Sequence, residues 1–475
     1  MKKIIPFLLT IMALFGLLGT QSCISDAIST SPSDTLTFSR DTVNFDTVFT
    51  DLGTPTARLI VFNRAKKGIN ISSIRLRRMD SNFQINVDGQ SAREFNDIEI
   101  RGRDSIYVFI ECFIPETPGN APHLVEDELE FVTNGVTQTV RLEAYGRNVT
   151  RLRGVTVDSD MTLTAERPYV VFDSLVVSPG ATLRIEPEAQ VLFHDGAELR
   201  VHGRLEAVGE AGRLIHLRGD RLDNVLPDVG YDILAGQWRG IRIAPESFDN
   251  RMEFVDMRST EEGVVVDSCG NLSRSKLLLR NSWLHNSQGN VLQSRYAKVD
   301  AYGVCFSEAA DAVVALEGGD HTMVQCTFAN NYLFSAITNP ILSLYHVLPK
   351  HLDDNSSPLM KASFENSIIY GIPADINEGD LSGSDVYLRN VSMKAAGSDD
   401  DNFINCLWDC DPLFLTDRPI YYFNYHVQPD SPVIGKGDPS FVNAESLYDI
   451  DGVDRLASGS PTLGAYARPE EPSDK

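Results

Sequence analysis

A run of short apolar segments between residues 168 and 243 constrains the fold more than any other part of the chain. Within each segment the apolar residues recur mostly in twos, which is the period of a β-strand rather than of a helix. Pro179, Gly180, Asp195, Gly196 and further single glycines separate the segments, and such residues favour tight turns. No segment long enough for a helix lies between them. The stretch therefore predicts an all-β fold with tight corners, which is a sandwich, a barrel or a solenoid.

Four motifs follow one another in this stretch with a specific order and spacing. They are Val-x-Pro-Gly-x-Thr-Leu-x-Ile-x-Pro at 177–187, Val-x-Phe at 191–193, Leu-x-Val-x-Gly-x-Leu-x-Ala at 199–207 and Gln-Trp-x-Gly-Ile at 237–241. The series resembles the opening coils of right-handed parallel β-helix proteins of the pectin-lyase-like superfamily. A second series resembles the end of many secreted β-helix proteins and lies at 411–414, 431–437, 449–455 and 463–466.

This resemblance implies a right-handed parallel β-helix over residues 149–467, followed by a polar tail at 468–475. It does not by itself imply an activity, because that fold carries many functions.

A degenerate repeat after residue 243 also favours a solenoid, in which each coil stacks on its neighbours. The third residue of its six copies falls at Phe254, Asn281, Gly303, Cys326, Asn366 and Asn390. Asparagine tolerates the left-handed backbone of a tight corner and can hydrogen-bond from coil to coil, so we interpret this position as structural. The longest gap between copies holds an insertion at 340–359. This insertion is the stretch most able to assemble a site on a loop. Its candidate site residues are His346, His351, Asp353 and Asp354.

Residues 36–148 carry about seven short alternating strands with glycine and proline turns, which is typical of a β-sandwich. The step at 45–49, the strand Leu-Ile-Val-Phe-Asn at 59–63 and the closing Val-x-Leu-x-Ala-x-Gly at 140–146 resemble immunoglobulin-like domains of bacterial surface proteins. Such domains usually act as spacers or bind a ligand.

Residues 1–23 read as an export signal, because Lys2 and Lys3 precede an apolar run at 4–18. The run ends in LLGTQSC, and Cys23 resembles the lipid-modified cysteine of bacterial lipoproteins, although Gln21 departs from the usual small residue. The alternative is ordinary signal-peptide cleavage near Ser22. A flexible tether is predicted at 24–35. The resemblance implies an outer-membrane lipoprotein that faces the periplasm or the cell surface and is attached to the membrane, its partner, by the lipid.

The charge balance disfavours nucleic acid as a partner. The chain has 42 Lys and Arg against 66 Asp and Glu, a net charge of -24, whereas nucleic acid requires a basic surface. The acidic motif at 449–454 and the acid run at 399–401 hint at calcium, but an Asx-type turn and a solvated loop are favoured for them. No cofactor is therefore predicted, with calcium left open. Cys406 and Cys410 are close enough in sequence to close a small disulfide loop.

No complete hydrolase or lyase motif is readable on the coils. The outward repeat positions mix acids, bases and neutral residues, namely Arg280, Gln325, Glu365, Arg389, His285, Asn330 and Tyr370. The sequence therefore favours a non-catalytic cell-envelope protein that binds a glycan or a protein partner, without lyase activity. The alternatives are a polysaccharide lyase or glycoside hydrolase on the β-helix, and a purely structural envelope protein. A cleft pairing Lys or Arg with two or more acids would favour the enzyme, and a flat face with exposed aromatic residues would favour the binder.

Overall fold

A computed structural model describes residues 27–226, 229–337, 339–345, 360–376 and 385–468. Within these ranges the regular structure consists of β-strands and three short 3-10 turns, without an α-helix. The all-β prediction is thus confirmed. The chain divides into two compact units that meet between Asn148 and Val149. Cys23 and the insertion residues His346, His351, Asp353 and Asp354 lie outside the described residues.

The described part of the N-terminal unit, from residue 27 onward, contains eleven strands. These are β1 (Leu36–Phe38), β2 (Thr42–Phe49), β3 (Ala57–Asn63), β4 (Ile69–Leu76), β5 (Phe83–Val87), β6 (Gln90–Ala92), β7 (Glu94–Phe95), β8 (Ile98–Ile100), β9 (Ser105–Cys112), β10 (His123–Thr133) and β11 (Val136–Arg147). They form a five-stranded sheet in the order β1-β3-β9-β5-β6 and a six-stranded sheet in the order β2-β11-β10-β4-β7, with β8 also paired to β4. All pairs are antiparallel except β2 with β11.

One apolar core serves both sheets of this unit. Phe83 on β5, Val61 on β3 and Phe131 on β10 are fully buried in the same cluster. Their neighbours along each strand alternate towards solvent, as side chains on a strand must. Burial on one face and exposure on the other is the usual state of an antiparallel sheet.

The C-terminal unit begins with long strands and becomes strictly periodic. Its strands are β12 (Thr150–Val157), β13 (Met161–Leu163), β14 (Tyr169–Val177), β15 (Thr182–Ile185), β16 (Gln190–Phe193), β17 (Glu198–Val201), β18 (Arg204–Val208), β19 (Ile215–Gly219), β20 (Asn224–Leu226), β21 (Val229–Gly230), β22 (Gly240–Ile243), β23 (Asn250–Glu253), β24 (Val255–Thr260), β25 (Val264–Val266), β26 (Leu277–Arg280), β27 (Trp283–Ser287), β28 (Leu292–Arg295), β29 (Lys298–Tyr302), β30 (Cys305–Ala309), β31 (Val314–Glu317), β32 (Asp320–Val324), β33 (Thr327–Asn330), β34 (Leu342–Tyr345), β35 (Lys361–Glu365), β36 (Ile368–Gly371), β37 (Asp385–Arg389), β38 (Ser392–Met393) and β39 (Phe403–Ile404). The 3-10 turns are Tyr231–Ile233, Arg418–Ile420 and Pro439–Phe441.

Apart from the antiparallel pair β20–β21 and from β12, which pairs with β14, these strands form three parallel stacks. The first stack runs β16-β19-β24-β27-β30-β33-β36-β38, the second runs β17-β22-β25-β28-β31-β34, and the third runs β13-β15-β18-β23-β26-β29-β32-β35-β37-β39. The long strand β14 pairs with both β16 and β17 and so joins the first two stacks. From β22 to β36 the chain visits the second, third and first stacks in turn, so each of these coils adds one strand to each stack. The arrangement is compatible with the predicted β-helix.

In-register pairing aligns the inward side chains of successive coils. On the first stack the aligned and buried residues are Leu217, Met257, Leu284, Phe306, Phe328 and Ile369. Because strand side chains alternate, the residues on either side of this row point outward. Those outward positions are where the unit can present polar chemistry.

The corner before the first stack has a left-handed backbone on coil after coil. Positive φ angles occur at Phe254, Asn281, Gly303, Gln325, Asn366 and Asn390. Five of the six repeat positions predicted from sequence are therefore correct. Cys326 is wrong by one residue, since Gln325 takes the corner and the Cys326 side chain is buried in the core.

The residues after the last coil, 411–468, are called here the C-terminal cover. They pack on the outward face of the first stack, where the Ala465 N–H donates to Thr327 Oγ1 at 2.9 Å. The buried Arg455 donates from Nη1 to Gly464 O at 2.9 Å and to Gln325 Oε1 at 3.2 Å. The cover therefore buries outward positions that would otherwise face solvent.

Candidate functional site

A cavity of about 250 Å³ opens beside the C-terminal cover, on the outward side of the first stack. Residues 229–233, strands β24, β27 and β30, the loop after β33 and residues 420–423 of the cover all contribute to its lining. The side chains used below are Asp232, Arg258, Trp283, His285, Glu308, Tyr332, Phe334, Tyr421, Tyr422 and Phe423. We call this cavity the Glu308 pocket.

Arg258 on β24 lines the pocket and contacts Asp256, a buried carboxylate on the same strand. Asp256 and Arg258 are two residues apart on the strand and therefore share its outward face. Arg258 Nε lies 3.1 Å from Asp256 Oδ1, and its Nη1 lies 2.9 Å from Asp232 Oδ2. Burial alone would raise the pKa of Asp256, but Arg258 and hydrogen bonds with His216 and His285 outweigh it and hold the pKa well below its usual range. Asp256 is thus a permanently ionised carboxylate.

His285 stands one rung above, directly beside Arg258 in the strand register. Its ring stacks on Trp283 with centroids 3.8 Å apart and an angle of 8° between the planes. Its Nε2 lies 3.1 Å from Asp256 Oδ1. Burial, followed by the positive charge of Arg258, lowers the pKa of His285 to about 4. The imidazole is therefore neutral near pH 7, with Nε2–H donating to Asp256 and a lone pair left on Nδ1.

Glu308 lies on the next strand, β30, and is almost fully buried. The Tyr425 hydroxyl donates a hydrogen bond to its Oε1, while Oε2 has no hydrogen-bond partner among the described residues. Burial raises the pKa of Glu308 to about 7. In contrast to Asp256, this carboxyl group is protonated at mildly acidic pH and can donate a proton.

The backbone at Glu308 is unusual for its residue type. Its φ is 51°, and the residues at the same corner of the two preceding rungs, Ser259 and Asn286, have φ values of 68° and 60°. Asparagine accepts this left-handed conformation readily, whereas for a residue such as glutamate it costs on the order of 1 kcal/mol. Strained residues persist where the surroundings over-determine them, and they cluster at functional sites. Because the same conformation recurs at Ser259 and Asn286, it is the repeating corner of the coils that places the Glu308 side chain at the pocket.

Aromatic rings surround the polar base. Tyr332 and Phe334 form an edge-to-face pair with centroids 5.8 Å apart, and Phe334 and Tyr422 are exposed at the rim. Arg418 holds the two sides of the pocket together, because its Nε donates to Asn331 O at 2.9 Å and its Nη2 donates to Tyr332 O at 2.8 Å. A pocket with aromatic walls and a few convergent polar groups is typical of a small-molecule or sugar site.

The other residues that the sequence suggested as possible sites make structural contacts or remain unpaired thiols. Oδ1 of Asp449 accepts the N–H groups of Asp451 and Val453 at 3.0 and 2.8 Å, the geometry of an Asx-type turn. Cys406 and Cys410 are free thiols, so they do not close a disulfide loop. Within the described ranges, no group of three or more His, Cys, Asp and Glu side chains is arranged to hold a metal ion. Among those same residues, no helix has the length and apolar character needed to cross a membrane.

Most of the pocket was not anticipated from sequence. His285 appears among the predicted outward positions, but Asp256, Arg258, Glu308 and Tyr425 were not singled out. The available signal was the alternation in β24, which puts Asp256 and Arg258 on the outward face. By the criterion stated above, a cleft that pairs an arginine with several acids favours an enzyme over a flat binding face.

Comparisons with known proteins add no support for a function of this pocket. No family model and no curated protein matches the chain. One similar solved structure is a family 123 glycoside hydrolase from Clostridium perfringens, studied for glycolipid glycan hydrolysis, with 11% identity and a TM-score of 0.17 over 24% of this chain and 26% of that one. Another is a protein of unknown function from Porphyromonas gingivalis W83, with 12% identity and a TM-score of 0.18 over 27% of this chain and 58% of that one. Likeness at this level carries no argument about fold or function.

Proposed function

We propose that the C-terminal unit is a right-handed parallel β-helix that hydrolyses a glycan in the Glu308 pocket by general acid–base catalysis. The observation that carries this proposal is that a buried carboxyl group, Glu308, lines the same pocket as His285, which is hydrogen-bonded to the carboxylate of Asp256. Arg258 holds the pKa of Asp256 well below its usual range, whereas burial raises the pKa of Glu308 to about 7. Titratable groups whose pKa values are driven apart in one site are candidates for acid and base roles, and Asp256 acts here by orienting the base His285.

Each group has a separate role in the proposed reaction. Glu308 donates its proton to the glycosidic oxygen as the bond from that oxygen to the anomeric carbon breaks. His285, oriented by Asp256, accepts a proton from the water whose oxygen bonds to the anomeric carbon. Glu308 on β30 follows Ser307, the residue paired with His285 on β27, so the proposed acid and base lie on adjacent rungs. Solvent then returns the proton from His285 to Glu308, which restores both groups.

Binding of a glycan without cleavage is the second candidate. It is favoured by the exposed rings of Phe334 and Tyr422 at the rim, since flat aromatic surfaces suit the apolar faces of sugar rings. This was the leading prediction from sequence. The polar base of the pocket makes hydrolysis the better-supported candidate.

The proposed setting of this activity is the cell envelope. Lipidation of Cys23 would attach the chain to the outer membrane, and an N-terminal immunoglobulin-like β-sandwich would separate the anchor from the β-helix. Both parts rest on the sequence patterns described above. A polysaccharide of the envelope or its surroundings is the substrate class that fits this setting.

The experiment is an incubation of the purified full-length protein with a panel of neutral and acidic polysaccharides. New reducing ends would report hydrolysis, and ultraviolet absorbance would separately report the unsaturated ends that a lyase produces. The Glu308→Gln substitution keeps the shape of the side chain and removes the acid, so we expect it to slow cleavage by about a hundredfold or more.

Glu210→Gln is the matched control, because Glu210 is an exposed acid outside the pocket. It should leave the rate unchanged, and both variants should melt cooperatively. Unsaturated products, or cleavage that survives Glu308→Gln at the parent rate, would contradict the proposal. Saturable binding without any product would move the assignment to the second candidate.

A further inference from the structure

The two outward faces of the N-terminal unit carry different chemistry. On the six-stranded sheet, charged side chains pair across strands, as in Arg75 with Glu130 at 2.8 Å and Arg77 with Glu128 at 2.5 Å. A sheet surface covered by such paired charges is an ordinary solvent-exposed surface. The five-stranded sheet differs because the outward positions of its central strand β9 include aromatic residues.

Tyr107, Phe109 and Phe113 alternate along β9 and the residue after it, with 46%, 39% and 48% of their surface exposed. The rings of Tyr107 and Phe109 lie side by side with centroids 6.2 Å apart and an angle of 27° between them. The Arg58 guanidinium lies 5.3 Å from the centre of the Tyr107 ring. An exposed group of rings on a sheet is costly to hydrate and marks an interaction site.

A polar groove of about 320 Å³ runs beside these rings. It is lined by Thr56, Gln84, Ile85, Asn86, Ser91, Phe109 and Glu111. The register places Asn86 opposite Phe109, and Gln84 opposite Glu111. Hydroxyl, amide and carboxylate groups therefore stand directly next to an exposed ring.

Hydrogen bonds already orient two of the polar pairs. Thr56 Oγ1 donates to Glu111 Oε1 at 2.8 Å, and Asn86 Nδ2 donates to Ser91 Oγ at 3.1 Å. Glu111 keeps acceptor capacity and Asn86 keeps a further donor and an acceptor, because each side chain has more hydrogen-bonding positions than these bonds use. The groove thus offers both donors and acceptors to a ligand.

We propose that this face is a second glycan-binding site, which holds a neutral polysaccharide chain. A sugar ring presents an apolar C–H face and a rim of hydroxyl groups. The rings of Tyr107 and Phe109 match the apolar face, and the polar groups of the groove match the hydroxyls. The ionisable groups at the site, Arg58 and Glu111, balance in charge, so the chemistry favours a neutral chain over an acidic one. The inference is independent of catalysis in the Glu308 pocket.

The test uses the full-length protein and affinity electrophoresis through gels that contain neutral glucans, xylans and mannans, or acidic pectate and alginate. We expect retardation by at least one neutral polymer and little change in that retardation with added salt, since screening weakens contacts between charges. Replacing both Tyr107 and Phe109 by alanine should weaken the binding by about tenfold or more, because two stacking rings are lost. Tyr107→Phe keeps the ring and should retain most of the affinity.

Tyr145→Ala is the matched control, since Tyr145 is exposed to a similar extent, 44%, on the other sheet. It should bind as the parent does. Melting curves check that the double variant is folded. The proposal is overturned if no neutral polymer retards the parent, if the double variant binds normally, or if sedimentation shows that the rings instead mediate association with a protein.

Discussion

The Tyr425 hydroxyl donates a hydrogen bond to Glu308 although 117 positions separate the two residues in the chain. Both side chains are buried, and Asn331 Nδ2 donates to the same hydroxyl at 3.3 Å. The bond joins the C-terminal cover to the first stack at a carboxyl group whose pKa is raised to about 7. The protonation of Glu308 is therefore set by a segment that is remote in sequence.

The pH dependence of cleavage should be bell-shaped. The proposed mechanism needs neutral His285, which exists above its pKa of about 4, and protonated Glu308, which exists below its pKa of about 7. The rate constant kcat/KM should therefore rise as the pH passes through about 4 and fall as it passes through about 7. Initial rates between pH 3 and 9 measure both limbs. A rate that keeps rising above pH 8 would exclude Glu308 as the acid.

Tyr425→Phe should move the falling limb of this profile to higher pH. The lost hydrogen bond favours the ionised form of Glu308, so its removal raises the pKa further, by about one unit. The substitution should also lower the free energy of unfolding by about 1 kcal/mol. Tyr422→Phe is the control, because the Tyr422 hydroxyl accepts from Asn424 rather than bonding Glu308. An unchanged limb in Tyr425→Phe would mean that Glu308 does not control it.

Stability should also report the ionisation of Glu308, without any substrate. The pKa of Glu308 is higher in the folded than in the unfolded protein. The stability that the protonated carboxyl group contributes is therefore fully present below about pH 4.3 and is lost as the pH rises through about 7. By pH 8 the parent should lose about 3 kcal/mol of unfolding free energy through this group. Glu308→Gln should lack this loss, whereas Glu210→Gln should keep it. Urea unfolding at pH 5 and pH 8 gives the comparison, and parallel behaviour of parent and Glu308→Gln would refute it.

Arg455→Met should destabilise the attachment of the C-terminal cover. Arg455 is buried and donates to Gln325 Oε1 and to the carbonyl groups of Gly464 and Ala465. Methionine fills similar space but leaves these acceptors unpaired, at a cost of about 3 kcal/mol. Thermal unfolding and limited proteolysis of the cover measure the effect. Arg239→Met, at an exposed position, should change neither result.

Cys23→Ala tests the proposed anchor. If Cys23 carries a lipid, the substitution should transfer the protein from the membrane fraction to the soluble fraction after cell lysis. Immunoblotting of the two fractions gives the distribution. Ser22→Ala, which retains the cysteine, is the neighbouring control. A Cys23→Ala protein that stays in the membrane as fully as the parent would rule out the lipid anchor.

The periodic part of the fold was predictable because it depends on local residue types. Alternating apolar residues indicated the strands, and Asn281, Asn366 and Asn390 indicated the left-handed corner. The error at Cys326 has the same origin. Glutamine is not a typical corner residue, so the sequence around Gln325 carries no local signal for the turn, and only the register of neighbouring coils places it.

The pocket could not be predicted because its chemistry depends on long-range packing. Nothing near Glu308 in the sequence indicates that Tyr425 will bury it, and nothing near Asp256 indicates that His285 will lie on the next rung. The pKa differences that define the site arise from these contacts. A single sequence shows the outward alternation of a strand but not which segment returns to cover it.

The C-terminal cover also sets an order of events during biosynthesis. Tyr425 and the wall at 420–423 are translated after every strand of the three stacks. A growing chain could therefore complete its coils while its acid remained open to water, with the ordinary pKa of an exposed glutamate. If Glu308 is the acid, as proposed, it would acquire its raised pKa only when the cover docks, so an unfinished chain would be inactive.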